Sequence, residues 1–171
     1  MTEAAASEGV DDLRFRRPVE ADHAVVVAQV DDWWGGRRMR AMLPRLWFRH
    51  FTALSWIAET EEGRLMGFLV GFISPDHPEE AYVHMIATNP NRRRRGLGRA
   101  LYTRFFEDAR AGGAERVIVI TWPGNQVSVG FHRAMEFTPD DGPGTQRLYG
   151  TPAYADYDGE GEDRIVFTKA L

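Results

Sequence analysis

The strongest constraint on the fold of this chain is one segment, Asn89-Pro90-Asn91-Arg92-Arg93-Arg94-Arg95-Gly96-Leu97-Gly98-Arg99, and the elements on either side of it. Ahead of it, Ala81 to Thr88 alternates apolar and polar residues as a half-buried strand does. Behind it, from Gly98 on, Leu101, Phe105 and Ala109 mark one face of a helix that closes at Gly112-Gly113, where glycine suits a left-handed cap. Arg116 to Thr121 then reads as a second, β-branched strand. Two strands joined through a helix run parallel, linked by a right-handed crossover, which commits the chain to the α/β class. The junction itself has a chemical meaning. Glycines at 96 and 98 let the backbone turn tightly and approach a ligand, and the N–H groups and dipole of a helix start favour an anion such as pyrophosphate. The flanking arginines add charge-assisted contacts. A solvated basic turn and a nucleic-acid patch are the alternative readings. The acidic balance of the chain, net charge −4 with pI near 5.7, disfavours nucleic acid and anionic membrane as partners.

The remaining pattern supplies the other strands. Leu13 to Arg16 alternates and stops at Pro18, and Glu20 to Val30 suits a helix. Trp33-Trp34-Gly35-Gly36 breaks that pattern before a second helical stretch, Arg37 to Phe51, kinked or split by Pro44. Leu54 to Glu59 and Leu65 to Ser74 form a hairpin around Glu61-Glu62-Gly63-Arg64, so Ala81 to Thr88 is strand 4 and Arg116 to Thr121 strand 5. Gln126 to Met135 is a further helix, Phe137 opens a strand, and Arg164 to Thr168 closes the chain. Between them, residues 138–163 are rich in Gly, Pro, Asp and Tyr and are disordered or a lid, with Tyr149, Tyr154 and Tyr157 favouring a packed lid. The organisation expected is a disordered acidic leader over residues 1–12 and one domain over 13–171. The chain has no cysteine, which removes disulfides and thiolate metal sites and fits a reducing, cytoplasmic setting. No apolar run approaches the ~20 residues of a membrane span.

Arg93, Gly96 and Gly98, placed between a strand and a helix, resemble the Arg/Gln-x-x-Gly-x-Gly/Ala signature of the GNAT N-acetyltransferase superfamily. Asn125 to Phe137 is similar to the family's Asn-x-x-Ala-x-x-Phe-Tyr-x-x-x-Gly-Phe segment. The resemblance extends from Leu13 to about Phe137. It implies a three-layer fold whose mixed, mostly antiparallel sheet splays between strands 4 and 5, with acetyl-CoA as co-substrate and no metal. It further implies that the backbone of Ile86, Ala87 and Thr88 holds the pantetheine arm. Arg93, Arg94, Arg95, Gly96, Leu97, Gly98 and Arg99 would hold the pyrophosphate, and Asn125 would contact the arm or simply cap its helix.

The reaction implied is direct attack of a primary amine on the thioester in a ternary complex. His132 stands where many members carry a tyrosine that protonates the departing thiolate. An imidazolium of pKa ~6.5 could protonate a thiol of ~8.5 downhill. His84 shares a strand face with Tyr82, Ile86 and Thr88 and is the base candidate. Trp33, Trp34, Tyr82 and Tyr154 are candidates for an aromatic acceptor pocket, and Asp31 for attracting an ammonium. The acceptor is a small-molecule or peptide amine, and surface aromatics would permit a homodimer. Two rival readings stand beside this one: a non-catalytic acyl-CoA-binding regulator on the same fold, and a protein-interaction module.

Overall fold

The structure, a computed structural model, describes residues 9–92 and 96–171. Its strands are β1 (Arg14–Arg16), β2 (Trp56–Glu59), β3 (Leu65–Ile73), β4 (Glu80–Thr88), β5 (Arg116–Thr121), β6 (Thr138–Pro139), β7 (Thr145–Leu148), β8 (Thr151–Tyr154) and β9 (Ile165–Ala170). The helices are α1 (Asp22–Val27), α2 (Val30–Trp33), α3 (Leu46–His50), α4 (Leu97–Ala111) and α5 (Gln126–Ala134). Seven strands make one mixed sheet in the order β1-β2-β3-β4-β5-β9-β6, and β7 and β8 pair separately. The crossover expected from the sequence is present, because β4 and β5 are parallel, from Glu80↔Arg116 to Val83↔Val119. Beyond the paired residues β4 continues to Thr88 and β5 to Thr121. β5 pairs antiparallel with β9 over its whole length.

The chain forms two compact units that share strands of this sheet. The first takes in residues up to Gly71 together with Met85–Glu107, and the second Phe72–His84 with Asp108–Leu171. The first unit is held by a core in which Val26, Val30, Leu43, Phe48, Ile57 and Phe68 are essentially inaccessible to solvent. The polar anchor of this unit is Glu59 on β2. Its carboxylate binds the guanidiniums of Arg14 and Arg16, and Arg16 in turn makes a bidentate pair with Asp22 at 2.7 and 2.8 Å. These contacts tie β1, β2 and the start of α1 together, and the two guanidiniums hold the Glu59 carboxyl below its ordinary range.

The helical stretches before β2 are shorter than their sequence pattern suggests. Glu20–Val30 becomes α1 followed, after a break, by α2, and Arg37–Phe51 becomes a 3-10 turn (Arg40–Met42) and the five-residue α3. Gly35 and Gly36 have φ of 67° and 85°, which ends α2, and Pro44 removes a helical N–H donor from the second stretch. Of the expected leader, residues 1–8 lie outside the described residues. Val10–Asp12 form a 3-10 turn, and the Gly9 N–H donates to the Asp12 carboxylate at 2.7 Å.

In the second unit, Val83, Val117, Phe137, Ile165 and Phe167 are buried. The segment expected to be disordered or a lid is ordered in its middle: β7 and β8 form a hairpin from Thr145↔Tyr154 to Leu148↔Thr151. Its two loop residues, Tyr149 and Gly150, have φ of 50° and 79°, the left-handed pair that a tight hairpin loop requires.

Candidate active site

In the first unit the strand-to-helix junction is built as follows. β4 alternates along its length, with Met85 and Ala87 turned into the core and Ile86 and Thr88 half-buried on the opposite face. Its ladder runs on past the strand, since the Asn89 N–H donates to the Met66 carbonyl at 2.8 Å. A 3-10 turn (Pro90–Arg92) follows, with the Asn89 side chain accepting from the Asn91 N–H at 3.0 Å. The chain re-enters at Gly96, whose φ of 81° is strained for any side-chain-bearing residue, and the Gly96 carbonyl accepts the helical bond from Ala100 at 2.9 Å. Leu97 is buried, Gly98 half-buried and Arg99 exposed. A helix of this length leaves its first N–H groups without intrahelical acceptors and its N-terminal dipole uncompensated, which suits an anion. The junction thus brings together Ile86, Ala87, Thr88, Gly96, Leu97, Gly98 and Arg99. Arg93, Arg94 and Arg95 lie outside the described residues.

One residue that sequence reasoning passed over sets this geometry. A Cβ placed on Gly67 of β3 would stand 3.1 Å from the Ala87 carbonyl oxygen, 3.1 Å from Leu97 Cδ2 and 3.3 Å from Leu101 Cδ1. The first turn of α4 therefore rests on β3 and β4 at a distance that only glycine leaves free. Glycine inside an apolar strand run was the signal available in the sequence.

The same unit corrects part of the expected acceptor pocket. Trp33 is 6% exposed and stacks on Phe68 with ring centroids 6.4 Å apart, so it is a core residue rather than a pocket wall. Trp34 packs partly buried against the same core. Asp31 accepts from the Arg40 backbone N–H at 2.8 Å and pairs with the Arg40 guanidinium at 2.7 Å. Those bonds lower its pKa and engage both carboxylate oxygens in closing the Gly35-Gly36 turn.

In the second unit Tyr82 and His84 lie half-buried on one face of β4, the face the strand period predicts. Tyr82 packs against Phe72 with centroids 5.6 Å apart, and burial pushes its phenol up to about 12, so it is protonated at neutral pH. Tyr154 on β8 donates its hydroxyl to Asp140 and packs against Tyr157. Close by, Arg164 pairs with Asp158 at 2.8 Å and Glu162 at 2.7 Å and donates to the Asp163 carbonyl, which folds the 156–163 loop around one guanidinium. Asn125 caps α5, its side-chain oxygen accepting from the Ser128 N–H at 3.2 Å.

His132 is not disposed as its expected role requires. It is 3% exposed and sits among Phe131, Phe137 and Phe167, the last stacked at 5.5 Å. Its Nδ1 lies 2.8 Å from the Ser128 carbonyl, which can only accept, so Nδ1 carries the proton. Burial lowers the imidazole pKa to about 4, so near pH 7 there is no imidazolium to act as the acid. The Ser128 hydroxyl stands 3.2 Å from the same Nδ1 and 3.1 Å from the hydroxyl of Thr121, the last residue of β5. This hydroxyl pair was not expected from the sequence. Among the described residues, no group of three or more His, Cys, Asp or Glu side chains could hold a metal ion, and no helix is long and apolar enough to cross a membrane.

The parallel β4-α4-β5 unit with a glycine junction defines a class, and the sequence model described as the acetyltransferase (GNAT) family matches residues 23–137. The chain belongs to this family. An L-2,4-diaminobutyric acid acetyltransferase of Nocardia farcinica is 30% identical over 90 residues, 53% of this chain and 46% of that protein. The chain spans about half the length of the curated relatives it matches. Among solved structures, diaminobutyrate acetyltransferase EctA from Paenibacillus lautus, in complex with L-2,4-diaminobutyric acid and coenzyme A, superposes with a TM-score of 0.64. It is 24% identical, over 91% of this chain and 93% of that one. A GCN5-related N-acetyltransferase from Kribbella flavida gives a TM-score of 0.68 at 17% identity, over 94% and 99%. These likenesses establish the fold.

Proposed function

We propose that the protein transfers the acetyl group of acetyl-CoA to the primary amine of a small molecule. The observation that carries this reading is the β4-to-α4 junction, with Gly96 at φ 81° and the helix start seated on Gly67. The residues present fit the coenzyme: Ile86 and Thr88 offer the half-buried strand face, and the α4 N-terminus offers the N–H groups of a first helical turn and a positive dipole end. The charges of Arg93, Arg94, Arg95 and Arg99 complement a pyrophosphate. In this reading the amine attacks the thioester carbonyl directly, and strand N–H groups of β4 steady the oxyanion. His84 takes the ammonium proton directly or through water, and Asn125 steadies the pantetheine arm. Tyr82, neutral across the working pH range, acts through its hydroxyl rather than its charge, and Tyr154 orders the 138–163 segment that borders the acceptor.

The acceptor class we favour is a short diamine or amino acid rather than a peptide. Support comes from the Nocardia relative, named for L-2,4-diaminobutyric acid, and from the Paenibacillus structure, which holds that compound. The test is calorimetric titration of acetyl-CoA and desulfo-CoA, followed by thiol release measured across a panel of amines with diaminobutyrate included. Micromolar coenzyme binding with turnover on a short diamine is expected, whereas no coenzyme binding to the wild type would overturn the reading. The neutral, buried His132 favours one rival, a regulator that binds acyl-CoA and does not turn over, which the same panel identifies by binding without thiol release.

A further inference from the structure

We propose, resting on the coenzyme reading above, that the acidic segment 9–13 is an autoinhibitory strap whose carboxylates compete with the anionic coenzyme for the start of α4. Strap and helix belong to the first unit. The Arg104 guanidinium of α4 stands over the ring of Phe15 on β1, 3.6 Å from its centroid, and donates to the Ala100 carbonyl at 3.1 Å. β1 is thereby fixed against the middle of the helix. Traced backwards from Phe15, the chain returns to the helix start. Val10 marks its arrival there, because the Val10 Cγ2 lies 3.7 Å from where a Cβ on Gly96 would stand, an ordinary packing distance. From Gly96 to Arg104 the helix rises about 12 Å, and the residues between Val10 and Phe15 cover that length.

Local bonds give the strap its shape. Val10–Asp12 close a 3-10 turn in which the Leu13 N–H donates to the Val10 carbonyl at 3.2 Å and the Gly9 N–H to the Asp12 carboxylate at 2.7 Å. Val10 is half-buried, while Asp11 and Asp12 are exposed. Charge gives the strap its role. Residues 1–12 carry Glu3, Glu8, Asp11 and Asp12 and neither Lys nor Arg, whereas the junction carries Arg92, Arg93, Arg94, Arg95 and Arg99 in sequence. A helix start favours negative charge, and the preference that suits a pyrophosphate suits a tethered carboxylate as well. Covalent attachment keeps the effective concentration of those carboxylates at the junction high, so they lower the apparent affinity for any anion that must take their place. The apolar anchor is a single half-buried valine against a glycine. A coenzyme carrying several phosphate charges can therefore displace the strap.

The test is calorimetric affinity for desulfo-CoA at low and high salt in wild type, in the double variant Asp11→Asn, Asp12→Asn, and in Val10→Ser. Asparagine at position 12 keeps an acceptor for the Gly9 N–H, and matching thermal melts certify that the variants are folded. The double variant should bind about three- to tenfold more tightly than wild type at low salt and within about twofold of it at high salt, where the charges are screened. Val10→Ser, which loosens the anchor and keeps the charges, should give a smaller gain. Amide hydrogen exchange over residues 9–13 of the wild type should quicken when desulfo-CoA binds. Equal or weaker low-salt binding by the double variant, or protection of residues 9–13 by the ligand, overturns the inference and leaves the coenzyme reading standing. Absence of desulfo-CoA binding in all three proteins would instead refute the coenzyme reading.

Discussion

Acidification should unfold this protein partly through a single ring. The His132 imidazole has a pKa of about 4 in the folded chain and about 6.5 once exposed, and its burial is the cause. The unfolded state therefore binds a proton that the folded state refuses, so stability is complete above about pH 6.5 and falls as pH drops towards 4. Below the folded pKa the loss levels off at about 3 kcal/mol, and between pH 7 and pH 5 it amounts to about 2 kcal/mol. Urea unfolding at pH 7, 6 and 5 measures this in wild type and in His132→Gln, which removes the titrating group but keeps a polar side chain able to reach Ser128. Other histidines and carboxylates add to the pH slope of both proteins, so the difference between the two slopes isolates His132. A slope that is the same in both, or a His132 ring proton titrating near pH 6.5 by NMR, would refute the burial argument. With it would go the reading of His132 as a neutral core residue.

Three further substitutions probe the scaffold. Gly130 is exposed on α5 with open space where a Cβ would sit, so Gly130→Ala should stabilise by about 0.5–1 kcal/mol and raise the midpoint of a thermal melt by a few degrees. Gly67→Val would press on the Ala87 carbonyl and Leu97, costing about 1–3 kcal/mol. Coenzyme affinity in the surviving folded protein should fall with it, as calorimetry would show. Glu59→Ala leaves Arg14 and Arg16 without their shared carboxylate and should cost about 2–3 kcal/mol in denaturant unfolding, a loss that Glu59→Asp restores in part.

Where the sequence was legible, a local period carried the information. The alternation from Ala81 to Thr88 identifies β4 and the face that carries Tyr82, His84, Ile86 and Thr88, and the helical spacing of Leu101, Phe105 and Ala109 identifies α4. The parallel β4–β5 pair follows from that crossover, while the mixed sheet around it was implied by the family resemblance carried by the glycines at the junction. The β7–β8 hairpin was illegible for a local reason. Its strands are four residues long, and its loop uses Tyr149 at a positive φ where Asn or Asp is the usual signal. Asp31 was illegible for a tertiary one. Its partner Arg40 lies nine residues away, across a glycine turn whose path no periodicity specifies.

His132 belongs to neither class, because the information that corrects it was in the sequence. It lies three residues after Val129 and three before Met135, both buried, so it falls on the apolar stripe of α5 rather than on its open face. A histidine on such a stripe must enter the core neutral, and a neutral imidazole needs a partner for its single N–H. The nearest acceptor one helical turn back is the Ser128 carbonyl, which takes that proton at 2.8 Å. Position on the helix therefore fixes the charge state of His132, and the partner carbonyl fixes its tautomer.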